Sequence, residues 1–269
     1  MAVSVLMSVY EKEKPEYLSQ ALDSIIYQSL QPDEIVLIKD GPLPDYLEDI
    51  IQERMDIYPG FQVYQFEKNV KLGRALAKGV ELCHNELIAR MDTDDIAMND
   101  RLAVQYQYMK DNPEVSVCGG WILEFNTEGT YQKIKKMPES KKEIRKYSKY
   151  RNPLNHMTVM FRKGEVLKAG NYRHFPFLED YDLWIRMLAF GCKFANIPQV
   201  LVKARTEENI YERRGGAGYC DRYMQLRKQQ YASGLLRVHE YAVAILLTKI
   251  MTLQPSWVRK QVYRKILRK

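Results

Sequence analysis

The chain has 269 residues, of which 46% are hydrophobic and 28% charged, and its formal net charge is +7. This composition is ordinary for a globular protein and suffices for one α/β domain with an appendage, which excludes a low-complexity chain. The four cysteines are far apart in sequence, which excludes the closely paired ligands of a structural zinc site or a redox motif.

The first ten residues, MAVSVLMSVY, are apolar but carry neither a basic leader nor a cleavage site. They therefore predict a buried strand and not a signal peptide. Together with the widely spaced cysteines, this pattern favours a cytoplasmic protein.

Strands and helices alternate along the first part of the chain. Residues 3–9 and 34–38 are short apolar runs rich in β-branched side chains, and an amphipathic stretch at 15–28 separates them. The alternation continues with a helix at 47–55, a strand at 61–66, a helix at 72–82 and a strand ending at Met91. This order predicts a mostly parallel, doubly wound α/β sheet.

Ligands of such sheets bind beyond the carboxyl ends of the strands. Residues 8–11, 39–42 and 92–95 each follow one of the predicted strands. We therefore expect these three segments to lie close together and to form the edge of a binding crevice.

The pattern loosens after Asp95. The sequence predicts a helix at 101–109, a strand at 115–125 that Gly119 and Gly120 break, and a basic surface helix or loop at 133–151. The segment MTVMF, which follows His156, resembles a strand, and it precedes an amphipathic helix at 181–189 that Gly191 closes.

Three carboxylates in MDTDDI carry the strongest chemical signal. Asp92, Asp94 and Asp95 follow an apolar strand and repel one another unless a cation neutralises them. Oxygen ligands at a turn suit Mg²⁺ or Mn²⁺, with the phosphates of a ligand completing the coordination. The alternative is an acidic loop that caps a helix, because Asp is common at helix starts.

A second acidic group precedes the helix at 181–189. Glu179 and Asp180 lie where the helix dipole stabilises a carboxylate by about 0.3–1 kcal/mol, which by itself accounts for their presence. The functional interpretation makes one of them a general base within hydrogen-bonding reach of an acceptor hydroxyl. The residues alone leave both interpretations open.

Four segments in order carry a resemblance to a known family: MSVYEKEKPEYLSQALDSIIYQSLQPDEIVLIKDGP, KNVKLGRALAKG, MDTDDIAMNDRL and FLEDYDLWIRMLAFG. They resemble glycosyltransferase family 2 over most of residues 1–205. The resemblance implies a GT-A fold, a nucleoside-diphosphate sugar donor, a divalent metal (Mn²⁺ or Mg²⁺) and inversion at the anomeric carbon.

The resemblance also implies roles for individual residues. Residues 8–11 match the loop that grips the nucleotide base, and Asp40 matches the acid that contacts the base or ribose. Lys39 replaces the first of two acids usual there, and Ala77 stands where an Asn is usual. The implied donor-binding residues are Ser8, Val9, Tyr10, Glu11, Asp40, Asn69, Gly73, Asp92, Asp94, Arg213 and Arg214.

For the catalytic groups, Asp92 and Asp94 match the family's DxD motif, and either Asp94 or Asp95 is the direct metal ligand. The Glu179–Asp180 pair matches the ED motif, with Asp180 as the base. His156 lies where such enzymes approach the acceptor, although a lone histidine is more often structural. Arg101 resembles a residue that fixes the acidic loop.

The carboxy-terminal part is basic, since residues 222–269 contain eleven Lys and Arg and the single acid Glu240. Residues 241–253 are apolar but too short to span a bilayer, and they predict a packed helix. Residues 256–269, SWVRKQVYRKILRK, place apolar and basic side chains on opposite helix faces, which is typical of a helix lying on an anionic membrane. Packing on the chain's own domain or on a partner is the alternative.

The prediction is therefore an inverting glycosyltransferase, peripheral at the inner face of the cell membrane. It would transfer a sugar from a nucleoside-diphosphate sugar, with a UDP-sugar as the expected donor, to a glycan on undecaprenyl pyrophosphate. This reaction would be part of surface polysaccharide synthesis. We expect a donor-binding half at 1–98, an acceptor and catalytic-base half at 99–210 and a basic helical extension at 211–269. A single addition is favoured, because the QxxRW motif of processive members is missing.

The sequence leaves two alternative functions to consider. A sugar-phosphate nucleotidyltransferase would need a glycine-rich phosphate loop near the first strand, and MSVYEKEKP has none. The basic tail also suggests a non-catalytic nucleic-acid-binding protein, but that function would leave the two acidic motifs without a role. No nucleic-acid partner is expected.

Overall fold

The computed structural model describes residues 2–126, 132–206, 215–255 and 258. The strands are β1 Val3–Val9, β2 Glu34–Lys39, β3 Phe61–Gln65, β4 Leu87–Asp92, β5 Ile96–Ala97, β6 Val115–Phe125, β7 Gln132–Lys135, β8 Met160–Arg162 and β9 Lys193–Arg205. The helices are α1 Pro15–Ile26, α2 Asp45–Ile57, α3 Leu72–Leu82, α4 Arg101–Asp111, α5 Lys141–Tyr147, α6 Lys163–Lys168, α7 Glu179–Ala189, α8 Ala217–Ala232 and α9 Val238–Leu253.

The described strands form one sheet in the order β3-β2-β1-β4-β8-β6-β9-β5, and β7 pairs with β6. β1, β2, β3 and β4 are parallel, β8 runs antiparallel between β4 and β6, and β9 is parallel to β6. Six of these nine strands consequently run in one direction. The predicted mostly parallel α/β fold is confirmed.

The first half folds as its sequence pattern predicts. β1 and β2 are buried along almost their whole length, as expected for central parallel strands that helices cover on both faces. α1 begins at Pro15, a favourable first position for proline, and buries Leu18, Leu22 and Ile25 on one face. The ends of β1, β2 and β4 are thereby fixed at one edge of the sheet.

The prediction that Gly119 and Gly120 break their strand is wrong. β6 is continuous from Val115 to Phe125, and its pairing with β9 only shifts register after Gly120. A side chain at Gly120 would overlap Leu201 on β9, so the glycine provides room for a neighbouring strand.

The strand predicted for MTVMF is also partly wrong. Residues His156–Thr158 form a 3₁₀ turn, and only Met160–Arg162 join the sheet as β8. The Thr158 hydroxyl donates to the Asn155 carbonyl (2.8 Å) and accepts from the Gly120 amide (3.0 Å). These local hydrogen bonds favour the turn over an extended strand.

The basic stretch at 133–151, expected to be a surface helix or loop, also contributes β7 to the sheet. α5 begins with a capping box, in which the Ser140 side chain accepts the Glu143 backbone amide and the Glu143 side chain accepts the Ser140 backbone amide. The sequence prediction therefore missed one strand and gave the rest of this segment correctly.

The two carboxy-terminal helices, α8 and α9, pack against α7 and the segment before it. Arg227 and Gln230 of α8 surround the hydroxyl of Tyr181, which donates to the Ser148 carbonyl (2.8 Å). The helix predicted at 241–253 is present and packs on α8 through its small side chains, whereas its large aliphatic side chains point outward. No helix in the described part of the chain is long and apolar enough to cross a bilayer.

Candidate active site

The ends of β1, β2 and β4 meet at one edge of the sheet, as the sequence predicts. Ser8 lies opposite Asp92 of β4 on one side and opposite Ile38 of β2 on the other. The Thr93 hydroxyl donates to a carboxylate oxygen of Glu13 (2.6 Å), which ties the loop after β1 to the acidic loop. Residues 8–11 and 92–95 therefore border the same crevice.

Asp40 is brought together with the loop that contains Asn69. Its carboxylate accepts the Val70 amide (2.6 Å), and the next residue, Lys71, has a positive φ of 76°. Burial raises the pKa of Asp40, and the amides of Val70 and Lys71 oppose that rise. One function of Asp40 is thus to hold a strained loop, which is a frequent property of ligand-binding segments.

Lys39, which replaces the usual acid before Asp40, is buried against a partner of its own. Its ammonium group forms an ion pair with Glu48 of α2 at 2.5 Å. The substitution therefore adds a bond between β2 and α2 and does not leave an unpaired positive charge at the crevice.

The three carboxylates of MDTDDI form one cluster, with oxygen atoms of Asp92, Asp94 and Asp95 all within 4.8 Å of one another. Asp92 forms an ion pair with the buried Arg90, and Asp95 accepts the Arg205 amide of β9 (2.8 Å). Desolvation, followed by the charges of its neighbours, raises the pKa of Asp94 to about 7 and that of Asp95 well above its ordinary value.

These properties fit a divalent cation. The raised pKa values mean that the folded protein resists holding three negative charges so close together. A cation removes this repulsion, and an oxygen-only donor set suits Mg²⁺ or Mn²⁺. Since Asp94 is exposed while Asp92 and Asp95 are bonded by protein groups, Asp94 has the greatest freedom to reach a bound ligand.

Arg90 connects this cluster to the rest of the site, and the sequence analysis missed it. Its guanidinium is buried, and two of its nitrogen atoms, Nε and Nη1, have no hydrogen-bond partner among the described residues. Its charge opposes the pKa rise of both Asp94 and Glu179. Arg101, as the resemblance implies, supports this loop from beneath by donating to the Arg90 carbonyl (2.7 Å).

Glu179 and Asp180 begin α7, but their environments differ. Glu179 is buried, and burial, reinforced by the adjacent Asp180, raises its pKa to about 7. Asp180 is half-buried, and its two oxygens accept the Asn152 side-chain amide (2.5 Å) and the Tyr181 backbone amide (2.7 Å). Asp180 is thus the better oriented and more accessible carboxylate. Asn152 was not predicted, because no sequence signal links it to α7.

Gly73 lies at a close approach between α3 and the segment before α7. A side chain there would overlap the Arg173 carbonyl oxygen and reach within 3.4 Å of the Glu179 side chain. The structure therefore gives this glycine a packing function beside the acidic pair, and its predicted contact with a donor stays a prediction.

We expect Gly73→Ala to destabilise the protein by about 1–3 kcal/mol, because the added methyl group must push α3 away from α7. Urea unfolding monitored by circular dichroism measures the change. Gly218→Ala is the matched control, since Gly218 lies in a helix with open space around it and should be neutral or slightly stabilising. Equal stability of Gly73→Ala and wild type would contradict this packing argument.

His156 lies within an aromatic cluster. Its Nε2 atom is 3.0 Å from the Tyr172 hydroxyl, and its ring meets Trp184 edge-on at 6.3 Å. Burial, followed by the charge of Arg90, lowers the pKa of His156 well below its ordinary value, which keeps the imidazole neutral. Its acceptor role stays a prediction.

The two arginines predicted to bind the donor diphosphate, Arg213 and Arg214, lie outside the described residues.

Comparison with known proteins decides the class of site. The sequence model described as Glycosyl transferase family 2 matches residues 4–167. The chain belongs to this family. Membership of glycosyltransferase family 2 supports neither a sugar-phosphate nucleotidyltransferase nor a non-catalytic nucleic-acid-binding protein.

Two curated relatives align with the family 2 chain over nearly its full length. AmsE, an amylovoran biosynthesis glycosyltransferase of Erwinia amylovora, is 38% identical over 97% of this chain and 98% of its own. UDP-Gal:alpha-D-GlcNAc-diphosphoundecaprenol beta-1,3-galactosyltransferase of Escherichia coli is 35% identical over 99% of this chain and 96% of its own.

A solved structure supports the fold of this family 2 enzyme. S. aureus TarS in complex with UDP-GlcNAc superposes with a TM-score of 0.73 over 99% of this chain and 76% of that one. The identity is 15%, so this similarity bears on the architecture alone. The GT-A fold implied by the sequence is confirmed.

Proposed function

We propose that this enzyme transfers a sugar from a nucleoside diphosphate, UDP in the first instance, to a hydroxyl of a glycan carried on undecaprenyl diphosphate, with inversion at the anomeric carbon. The observation that carries the proposal is buried Arg90, which forms an ion pair with Asp92 of the acidic cluster and whose charge also acts on Glu179, the residue before Asp180. The names of the two curated relatives favour this donor, this carrier and a role in bacterial surface polysaccharide synthesis.

In this proposal the donor occupies the crevice at the ends of β1, β2 and β4. Residues 8–11 contact the nucleotide base, where the exposed Tyr10 offers a ring for stacking, and Asp40 contacts the base or ribose. Asn69 and Gly73 close the crevice from the other side. Arg213 and Arg214 contact the diphosphate, which suits the bidentate geometry of a guanidinium.

Asp94 and Asp95 would hold Mn²⁺ or Mg²⁺, with Asp92 fixed by Arg90 beside them. A bound cation supplies electrostatic stabilisation for the charge that develops on the departing nucleotide diphosphate. The protein contributes the fixed orientation of its ligands, because Asp95 is bonded to the backbone of β9.

Asp180 acts as the general base and accepts the proton of the acceptor hydroxyl as its oxygen attacks the anomeric carbon. Asn152 and the Tyr181 amide keep the carboxylate in one orientation, which lowers the cost of reaching the reactive geometry. Glu179, whose pKa is about 7, limits the negative charge beside the base. His156 lines the acceptor side.

The enzyme would act from the inner face of the cell membrane, where a lipid-linked acceptor is available. Residues 1–98 would bind the donor, residues 99–210 would bind the acceptor and supply the base, and residues 211–269 would form the basic helical extension. The basic segment 256–269 would contact anionic lipid; apart from Val258, it lies outside the described residues.

A donor panel tests the proposal. Purified enzyme with Mn²⁺ and a synthetic sugar diphosphate–lipid acceptor is incubated with UDP-, GDP- and dTDP-sugars, and nucleotide release and the new glycoside are followed. We expect turnover of one UDP-sugar, dependence on the metal, and an NMR coupling constant that reports inversion. Failure of every donor to react with any metal and acceptor would overturn the proposal.

A further inference from the structure

Helix α9 turns its small side chains toward the protein and its large aliphatic side chains outward. The face that packs on α8 consists of Ala244, Thr248 and Thr252, which are buried. Arg227 of α8 donates to the Thr248 hydroxyl (3.2 Å), and the Gly216 amide donates to the Thr252 carbonyl (3.0 Å). Small and polar groups therefore make the contact with the protein.

The opposite face of α9 carries large aliphatic side chains, each between 44% and 58% exposed. These side chains follow the helical repeat and lie on one side of the helix, and we call them the outer stripe. The outer stripe consists of Val243, Leu246, Leu247, Ile250 and Leu253.

Exposed aliphatic surface of this extent is unfavourable in water. A contiguous stripe of it marks an interaction surface, in contrast to isolated exposed apolar residues. Small residues toward the neighbouring helix and large aliphatic residues outward is the arrangement of helices that contact lipid. The outer stripe thus has the chemistry of a lipid-facing surface.

The size of α9 favours lying along a bilayer over crossing it. Its 16 residues extend about 24 Å, less than the ~30 Å hydrocarbon layer. Lys249 lies beside the outer stripe, and Glu240 in the first turn forms an ion pair with Lys149 at 2.5 Å. These charges can remain in the headgroup region while the outer stripe enters the acyl boundary.

Charge decides between a membrane and a second copy of the chain. Residues 256–269, directly after α9, contain six Lys and Arg and no acidic residue. A second copy of the chain would not offset this positive charge, whereas anionic lipid would neutralise it. The complementary partner is therefore an anionic bilayer.

We propose that the outer stripe of α9 docks the enzyme onto the surface of an anionic bilayer. α8 connects this surface to the site, because Arg227 lies 3.2 Å from the hydroxyl of Tyr181, the residue after Asp180. This connection rests on the proposed function, since only a lipid-linked acceptor makes proximity of Asp180 to the bilayer useful.

Vesicle co-sedimentation of the full chain, without donor or acceptor, tests the docking. Vesicles contain equal parts phosphatidylglycerol and phosphatidylcholine, with pure phosphatidylcholine in parallel. We expect the Leu246→Gln/Ile250→Gln double variant to lose about tenfold or more of its partition onto anionic vesicles. The matched control is Ile57→Gln, because Ile57 is 55% exposed at the end of α2, and it should partition as wild type does.

Thermal melting of both variants checks that they fold. Unchanged partition of the double variant, or binding of wild type that high salt abolishes completely, would assign attachment to the basic tail and overturn the proposal. A wild-type dimer in light scattering that the double variant dissociates, with no vesicle binding, would also overturn it by assigning the outer stripe to a second copy. Because no sugar is present, none of these outcomes depends on the proposed reaction.

Discussion

Replacing Asp180 with asparagine is expected to lower sugar transfer by about 10²–10⁴-fold while donor affinity stays within experimental error of wild type. The amide preserves the size of the side chain but cannot accept the hydroxyl proton. Transfer at saturating donor and calorimetric donor binding in the presence of Mn²⁺ give the two quantities separately. Because Asp180 acts in the chemical step, the turnover number should fall and donor affinity should not.

Asp45→Asn is the matched control, because Asp45 also lies in the first turn of a helix, α2, and is exposed. It should lose only the dipole stabilisation of about 0.3–1 kcal/mol and keep full activity. Glu179→Gln distinguishes the two adjacent acids. Near-normal transfer by Asp180→Asn together with inactive Glu179→Gln would move the base to Glu179.

Asp94→Asn is expected to abolish metal-dependent donor binding and yet to raise the stability of the metal-free protein at pH 8. The pKa of Asp94 is raised to about 7 in the folded state, against about 4 in the unfolded chain. The folded protein therefore holds the proton more tightly, and wild-type stability falls as pH rises from about 4 to 7. Asparagine cannot ionise, so the variant avoids this loss.

Solvent screens the exposed Asp94 side chain. We therefore expect the free energy of unfolding of metal-free Asp94→Asn at pH 8 to exceed that of wild type by about 1 kcal/mol, which corresponds to a gain of about 2–4 °C in melting temperature. The gain should disappear near pH 4, where the carboxyl is protonated in both states. Mn²⁺ should raise the melting temperature of wild type but not of Asp94→Asn. Asp45→Asn changes the net charge equally, and above about pH 5 its stability should stay below that of wild type by a constant amount, the helix-dipole loss of about 0.3–1 kcal/mol. A destabilised Asp94→Asn at pH 8 would refute the repulsion argument.

The sequence predicts well those elements whose signal is local. β1, β2 and α3 have nearly the predicted bounds, because buried β-branched runs and a helical apolar repeat identify them without reference to the rest of the chain. The sequence does not predict β9, because Asn196 and Pro198 interrupt its apolar pattern and proline ordinarily argues against an internal strand. The reason for Gly120 in β6 is its close approach to Leu201, which lies 81 positions further along the chain and cannot be inferred from the residues near Gly120.

The candidate site also contains residues with a local sequence signal and residues without one. Asp92, Asp94, Asp95, Glu179 and Asp180 were found because charge at the end of an apolar strand or the start of a helix is visible in sequence. Their supporting groups, Arg90 and Asn152, act through tertiary contacts that a single sequence does not encode locally. The outward direction of the large side chains of α9 likewise depends on tertiary contacts, because the small side chains of this helix pack on α8.

The bond between Asp95 and the Arg205 amide joins residues separated by 110 positions, and β5, which directly follows the acidic cluster, pairs with β9. During synthesis the ribosome must therefore add more than 100 residues after the acidic motif before the cluster can acquire its final shape. A nascent chain that ends before β9 carries the acidic motif without the strand that orders it. The cluster thus becomes ordered together with closure of the sheet and not with the appearance of the motif.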